Sequence, residues 1–346
     1  MGKPLVLFDP WPRRQRLIFT EAQWAQLTDL ADVVAHEEGR MPDEMVDRHI
    51  ADTAAIIGQT ALPAERLDRA ARLRAVINVE GNFLQNIDYA RCFARGIPVL
   101  SIAPAFALPV AEAALAMALD LARDITAGDR AMREGREEYG FLSNRRSFLL
   151  TGATFGLIGF GNLGRTLLPL LAPFHGRVLV HDPWLPDGFI RAHHAEPCPL
   201  DALLGKARVI FVLAGVTAEN AGFIDRTRLQ LIQHDAVIIL ASRAAVVDFP
   251  ALVELANAGA FRAATDVFPA EPVPADDPVR RSALLLSSHR AGGIPQAFAA
   301  IGEMVVEDLA LILRGLPPAR LQAAQRETVT RARSIAGRSY GSGVSL

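Results

Sequence analysis

The chain has 346 residues, 51% of them hydrophobic, and its 36 basic and 38 acidic side chains leave a formal net charge of -2. This length exceeds the usual size of one compact domain, so two domains sharing a cleft are expected. The charges are mixed along the chain with no block that would coat nucleic acid or an anionic membrane, which leaves a small molecule as the expected partner.

In chain order, short apolar runs bounded by turn residues at 5–8, 54–57, 75–79 and 98–100 predict strands separated by helical or polar stretches. Residues 110–123 are rich in Ala and Leu with Pro109 in the first turn, and read as a long helix joining two domains. A second strand series follows at 154–158, 178–181, 209–213, 237–240, 263–267 and 284–287. These runs are nearly continuous in Val, Ile and Leu, as expected of parallel strands covered on both faces. A helix over 297–314 would carry the chain back to the first domain before Gly315, Pro317 and Pro318 stop it. From about 319 onward an amphipathic stretch and a Gly/Ser tail predict a packing or oligomer arm with a frayed end.

Cys92 and Cys198 stand far apart with no second thiol near either, which argues against a disulfide framework or a cysteine metal site and for a reducing cytoplasm. The N-terminus runs straight into an apolar strand, so no targeting signal is read, and no apolar run is expected to reach the ~18 residues of a membrane span. His193 and His194 have no carboxylate or thiolate at a metal-ligand spacing, and no metal is assigned. Arg145 and Arg146 are expected to be solvated.

Gly159, Gly161 and Gly164 form a Gly-x-Gly-x-x-Gly pattern that a chain with 26 glycines produces by accident often enough to be weak alone. Its context is specific. The pattern follows the 154–158 run and opens a helical run at 165–171, as a dinucleotide fingerprint requires. The first glycine permits a tight turn, the second lets a pyrophosphate approach the backbone, and the third lets helix and strand pack closely. The helix N-terminus would hold the phosphates. About twenty residues on, Asp182 after His181 is placed to accept ribose hydroxyls and repel a 2'-phosphate, which predicts NAD rather than NADP.

Across residues of about 50–318 the chain resembles the D-isomer-specific 2-hydroxyacid dehydrogenases, the family that includes phosphoglycerate, glycerate and D-lactate dehydrogenases. The resemblance rests on ordered motifs: Gly156-Leu-Ile-Gly159-Phe-Gly161-Asn-Leu-Gly164 with His181-Asp182-Pro183; Val212-Leu-Ala-Gly-Val-Thr217-Ala-Glu-Asn220; Ala241-Ser242-Arg243 with Val247-Asp248; Asp266-Val-Phe-Pro-Ala-Glu271-Pro272; and Ser288-His289-Arg-Ala-Gly292-Gly293. It implies an α/β fold of two doubly wound parallel-sheet domains, with a Rossmann NAD-binding domain at 109–296 inserted in a flavodoxin-like substrate domain formed by 1–108 and 297–346. It further implies that Arg243 binds the substrate carboxylate and polarises the carbonyl, His289 is the acid/base and Glu271 orients it. Asp266 resembles the contact to the nicotinamide amide, and Asn162, Leu163, Thr217, Ala241 and Ser242 match other positions lining the cofactor. Relatives are commonly dimers through the region of the long interdomain helix, so a homodimer is expected.

The chemistry explains such a set. Hydride delivery to a 2-oxo acid builds negative charge on the carbonyl oxygen, so a protonated imidazole must donate to it while a guanidinium neutralises the carboxylate. The planar fork of arginine suits a carboxylate with two hydrogen bonds. Two other readings compete: an NAD-sensing module without catalysis, as in corepressor relatives, and a dehydrogenase of another donor such as phosphite or formate. The intact Arg243, Glu271 and His289 set argues against the first, and Glu271 against formate.

Two segments depart from the family pattern. Residues 78–88 read Asn-Val-Glu-Gly-Asn-Phe-Leu-Gln-Asn-Ile-Asp, so a loop whose backbone would bind the substrate keeps Gly81 but carries Glu80, Asn82 and Phe83 where smaller or neutral groups are common. A carboxylate facing the pocket would disfavour a simple anionic substrate, and one facing solvent would change nothing. Glu80 is expected to face outward, and Asn82 and Phe83 to shift preference away from glyoxylate, pyruvate and phosphohydroxypyruvate. After Arg243, Ala244 and Ala245 replace a common glycine, which would strain the backbone if that position needs a positive φ.

Overall fold

The structure, a computed structural model, describes residues 2–217, 219–326 and 329. The chain divides into two compact units, Met1–Phe106 with Gly293–Leu346, and Ala107–Gly292. The first unit carries strands β1 (Leu5–Asp9), β2 (Asp32–Ala35), β3 (Thr53–Gly58), β4 (Ala75–Asn78) and β5 (Val99–Ser101). The second carries β6 (Phe155–Ile158), β7 (Val178–His181), β8 (Glu196–Pro197), β9 (Val209–Val212), β10 (Val237–Leu240), β11 (Arg262–Thr265) and β12 (Leu285–Leu286), and β13 (Gln322–Ala323) returns to the first.

Among the described residues the first unit has one sheet, in the order β13-β5-β4-β3-β1-β2, parallel except for the antiparallel β13. Its strand order turns between β1 and β3. Successive residues of each strand serve opposite cores, as the two-residue repeat dictates. Val6, Phe8, Ile57 and Leu100 pack with Ile301, Val305 and Leu309 from the Pro295–Leu313 helix. Leu7, Ile56 and Val76 pack on the other face with Val46, Leu67 and Cys92.

The second unit has one wholly parallel sheet, in the order β12-β11-β10-β9-β6-β7-β8, whose order turns between β6 and β9. Leu157, Phe211 and Ile239 face the Ala107–Arg123 helix, while Ile158, Ile210 and Ile238 face Leu203 and Leu252. On that helix Ala111, Ala114, Ala118 and Ala122 recur at three- and four-residue spacing and are fully buried. Their small size lets the helix backbone approach the sheet. The stretch Ala103–Arg123 is long and apolar enough, by length and composition, to cross a membrane, which corrects the expectation that no run is. The alanine stripe is nevertheless packed within the core of the second unit.

Three strands escape the sequence reading. β2 is an edge strand whose four residues are half-buried or exposed, so it lacks the continuous apolar signal. β8 and β13 have two residues each, too few for any period. The segment after the last long helix is held by Asp308, a fully buried carboxylate that accepts hydrogen bonds from the Ala319, Arg320 and Leu321 amides. The Gly/Ser tail lies outside the described residues.

Candidate active site

Every second-unit motif lies just beyond the carboxyl end of a strand in one parallel sheet, where open α/β folds bind ligands. Gly159 directly follows β6 with a φ of +96°, and a Cβ there would sit 2.7 Å from the backbone of Ala214. Any side chain would collide with the chain leaving β9. A Cβ on Gly164 would lie 2.5 Å from the Gly159 carbonyl oxygen, so helix Asn162–Leu171 can approach β6 this closely only without one. Gly161 differs: nothing lies within 4 Å of its Cβ position. That open space lies at the N-terminus of the helix, which has no side-chain cap and where the first-turn amides and the helix dipole favour an anion.

Asp182, immediately after β7, ties this turn in place. Its Oδ2 accepts the Phe160 amide at 2.8 Å and its Oδ1 the Trp184 amide at 3.0 Å, leaving acceptor positions on both oxygens. Burial holds the His181 imidazole below its usual pKa, against the opposing pull of the Cys198 carbonyl and Asp182. At neutral pH the neighbour of Asp182 is therefore uncharged and offers no cation to a 2'-phosphate. The loop after β9 is closed by Asn220, which accepts the Thr217 amide and donates to the Gly215 carbonyl; Thr217 itself is buried.

β10, β11 and β12 are neighbours, so the segments after them leave the same sheet edge at intervals of about 4.8 Å. Ala241, Ser242 and Arg243 follow β10. Arg243 is half-buried in extended backbone and donates from Nη1 to the Ser242 carbonyl at 2.7 Å. Ala244 and Ala245 have no positive φ, since the chain enters a 3-10 turn at Ala244–Val246, so alanine carries no strain there. Asp248 then caps the Phe249–Asn257 helix through the Ala251 amide. The Ser242 hydroxyl is buried with no hydrogen-bond partner among the described residues. An orphaned buried hydroxyl beside Arg243, with the open space over Gly161, fits a dinucleotide laid across this edge.

His289, after β12, has a φ of +53°, the left-handed region that costs an ordinary side chain about 1–2 kcal/mol. Asp266, after β11, holds that conformation. Its Oδ1 accepts the Ser287 hydroxyl and the Arg290 amide, and its Oδ2 accepts the Ala291 amide at 3.1 Å. The loop is thus gripped on both sides of His289, and one acceptor position on Oδ2 remains for a ligand amide. Glu271 Oε2 lies 2.6 Å from His289 Nδ1, while its Oε1 accepts the Phe268 amide at 2.8 Å. Facing a carboxylate, Nδ1 carries a proton, which leaves Nε2 as the nitrogen that exchanges one. Sequence reasoning gives Asp266 a cofactor contact only; its grip on the histidine loop depends on strand adjacency.

The 80–82 segment belongs to the first unit, beyond the carboxyl end of β4. Glu80 does not face outward: its side chain is 19% exposed and turned onto Arg13, with Nε to Oε1 at 3.2 Å. This corrects the solvent-facing expectation, because a cation 67 residues away in sequence supplies the partner. Gly81 lies against Phe106, and Asn82 is exposed. Phe83 meets Tyr89 edge to face at 6.4 Å and packs on the core, so it anchors the loop. Arg13 has no local motif to mark it.

A family model described as D-isomer specific 2-hydroxyacid dehydrogenase, NAD binding domain, matches residues 115–291. The crystal structure of a phosphoglycerate oxidoreductase from Rhizobium etli is 40% identical with a TM-score of 0.85, covering 94% of this chain and 99% of that one. The D-3-phosphoglycerate dehydrogenase of Mycobacterium tuberculosis is 32% identical over 267 residues, 77% of this chain and 50% of that protein. The chain thus spans about half the length of the phosphoglycerate dehydrogenases it matches. The glyoxylate reductase of Pyrococcus furiosus is 28% identical over 296 residues, 82% of this chain and 87% of that protein.

Proposed function

Because the chain belongs to the D-isomer specific 2-hydroxyacid dehydrogenase family, we propose that it interconverts a 2-oxo acid and the matching D-2-hydroxy acid with NAD as cofactor. The observation that carries this reading is the 2.6 Å contact between Glu271 and His289, on the sheet edge that also carries Arg243. Gly159, Gly161, Asn162, Leu163 and Gly164 would hold the pyrophosphate, and Asp182 the ribose. Thr217, Ala241, Ser242 and Asp266 would line the nicotinamide end. When bound, NADH supplies the hydride that reduces the carbonyl carbon.

The remaining work falls to three side chains. Arg243 grips the substrate carboxylate and lies against the carbonyl oxygen, drawing electron density toward it. His289 donates a proton from Nε2 to that oxygen as negative charge builds, and takes one back when the hydroxy acid is oxidised. Glu271 fixes the ring through Nδ1 and steadies the imidazolium. From the first unit, Glu80, Gly81 and Asn82 would contribute to substrate binding, so the substrate-domain role falls to that unit and the nucleotide role to Ala107–Gly292. The two unpaired thiols, Cys92 buried and Cys198 partly so, suit a reducing cytoplasm. A screen of 2-oxo acids with NADH and NADPH in parallel tests the reaction: NADH oxidation with at least one acid, and weaker use of NADPH, is expected. NADPH preference would refute the role of Asp182, and failure with every acid the reaction.

The same reading includes a homodimer. Residues 125–149 expose the large apolar side chains of Ile125, Met132, Tyr139, Phe141, Leu142 and Leu149, with Phe141 at 83% and Tyr139 at 73% exposed, which a second copy of the chain would cover. The root of the segment is fixed by Arg262, which pairs with Asp124 at 3.1 Å and donates to the Arg146 carbonyl at 2.9 Å. Sedimentation at micromolar concentration is expected to give a dimer that Phe141→Glu weakens. A wild-type monomer would end the proposal.

A further inference from the structure

At the carboxyl end of the first unit's sheet, separate segments converge on one guanidinium that no step above uses. Arg13, in the turn after β1, has its Cζ 5.7 Å from the Phe106 ring centre and 5.3 Å from that of Phe298. Both distances are within cation–π range. The two rings meet edge to face with centres 6.1 Å apart. Nε lies 3.2 Å from Glu80 Oε1, and Nη2 donates to Oε2 at 3.3 Å. The two side chains are only 15% and 19% exposed, unlike the many open ion pairs elsewhere on the chain. Glu80 is fixed in turn, since its amide donates to Asn78 Oδ1 and its carbonyl accepts the Ser101 hydroxyl. The pair is therefore built into the edge, immediately before Gly81.

We propose that Arg13 and Glu80 together select the substrate side chain, favouring 2-oxo acids that carry an uncharged hydroxyl and rejecting those that carry a phosphate or second carboxylate. The inference rests on the dehydrogenase reading. With Glu80 across its fork, Arg13 has no net charge to offer a second anion, and the aromatic rings hold the guanidinium plane so that it cannot swing to follow one. A second anion would also meet the Glu80 carboxylate at close range. A hydroxyl answers both members, because its hydrogen is donated to a free lone pair of Glu80 and its oxygen accepts from the Arg13 hydrogens not directed at the carboxylate. Discrimination comes as much from the repulsive carboxylate as from the hydrogen bonds that a hydroxyl makes.

The test uses the full chain with NADH and acids of matched length: 2-oxobutanoate, 4-hydroxy-2-oxobutanoate and oxaloacetate, with phosphohydroxypyruvate added. Wild type is expected to favour the hydroxylated acid over either dianion by about tenfold or more in kcat/KM. Glu80→Gln, which leaves the Arg13 charge uncompensated, is expected to move that ratio toward the dianions by about tenfold, mainly through KM. Arg13→Met should move it the other way, and Arg13→Lys, which keeps the cation, should recover part of the shift. A merely structural role would lower all rates together and leave the ratio alone. Wild-type preference for a dianion, or a ratio that Glu80→Gln leaves unmoved in an active enzyme, overturns the inference alone. If no acid is turned over, the dehydrogenase reading falls and the inference with it.

Discussion

Replacing His289 by asparagine is expected to lower kcat by about 10²–10⁴-fold, the usual worth of a positioned general acid, or roughly 3–5 kcal/mol of transition-state stabilisation. Asparagine is the informative choice because of the backbone. His289 sits at a φ of +53°, and asparagine tolerates the left-handed region better than other non-glycine residues. The grip of Asp266 on the flanking Ser287, Arg290 and Ala291 is retained, so the loop keeps its path. What disappears is the ring nitrogen that exchanges the proton. NADH affinity, followed by fluorescence titration, should change little, since none of the groups assigned to the pyrophosphate or ribose is altered. Turnover within a few-fold of wild type would remove His289 from the reaction. A matched loss of NADH binding and turnover would instead show that the loop had collapsed.

The order of the motifs was legible in the sequence because parallel strands buried on both faces print as unbroken apolar runs, and each motif follows one of them within a few positions. Ala241-Ser242-Arg243 after β10 and Ser288-His289 after β12 are examples. The glycine turn was legible for a related reason: Gly159 and Gly164 each stand where a Cβ would meet backbone, so the steric demand is written in the residue type. Other features depend on which segments the fold brings together. Nothing local announces that Asp266 clasps the His289 loop from 24 and 25 residues away, or that Arg13 covers Glu80. The positive φ of His289 carries no sequence mark, because the strain is held by neighbours that Asp266 grips from a different strand. β2 is lost for want of burial, since a short edge strand with exposed residues has no period-two contrast to read.

Arg243→Ala is expected to cost at least as much as loss of the histidine, about 10³–10⁵-fold in kcat/KM, and its division between the two constants is the informative part. Loss of a charge-assisted contact to the substrate carboxylate, about 1.5–3 kcal/mol, should raise KM by about 10–100-fold. Loss of the donor that faces the developing oxyanion should lower kcat by a further ~10²–10³-fold. Arg243→Lys separates these. A lysine keeps the charge, and with it part of the ground-state attraction, but lacks the planar fork, so KM should recover more than kcat. The backbone gives no reason for the variant to misfold, because Arg243 lies in extended conformation and precedes an unstrained 3-10 turn. A rise in KM with kcat intact in Arg243→Ala would restrict the residue to binding. A full recovery of kcat in Arg243→Lys would mean that charge alone, and not the fork, acts on the carbonyl.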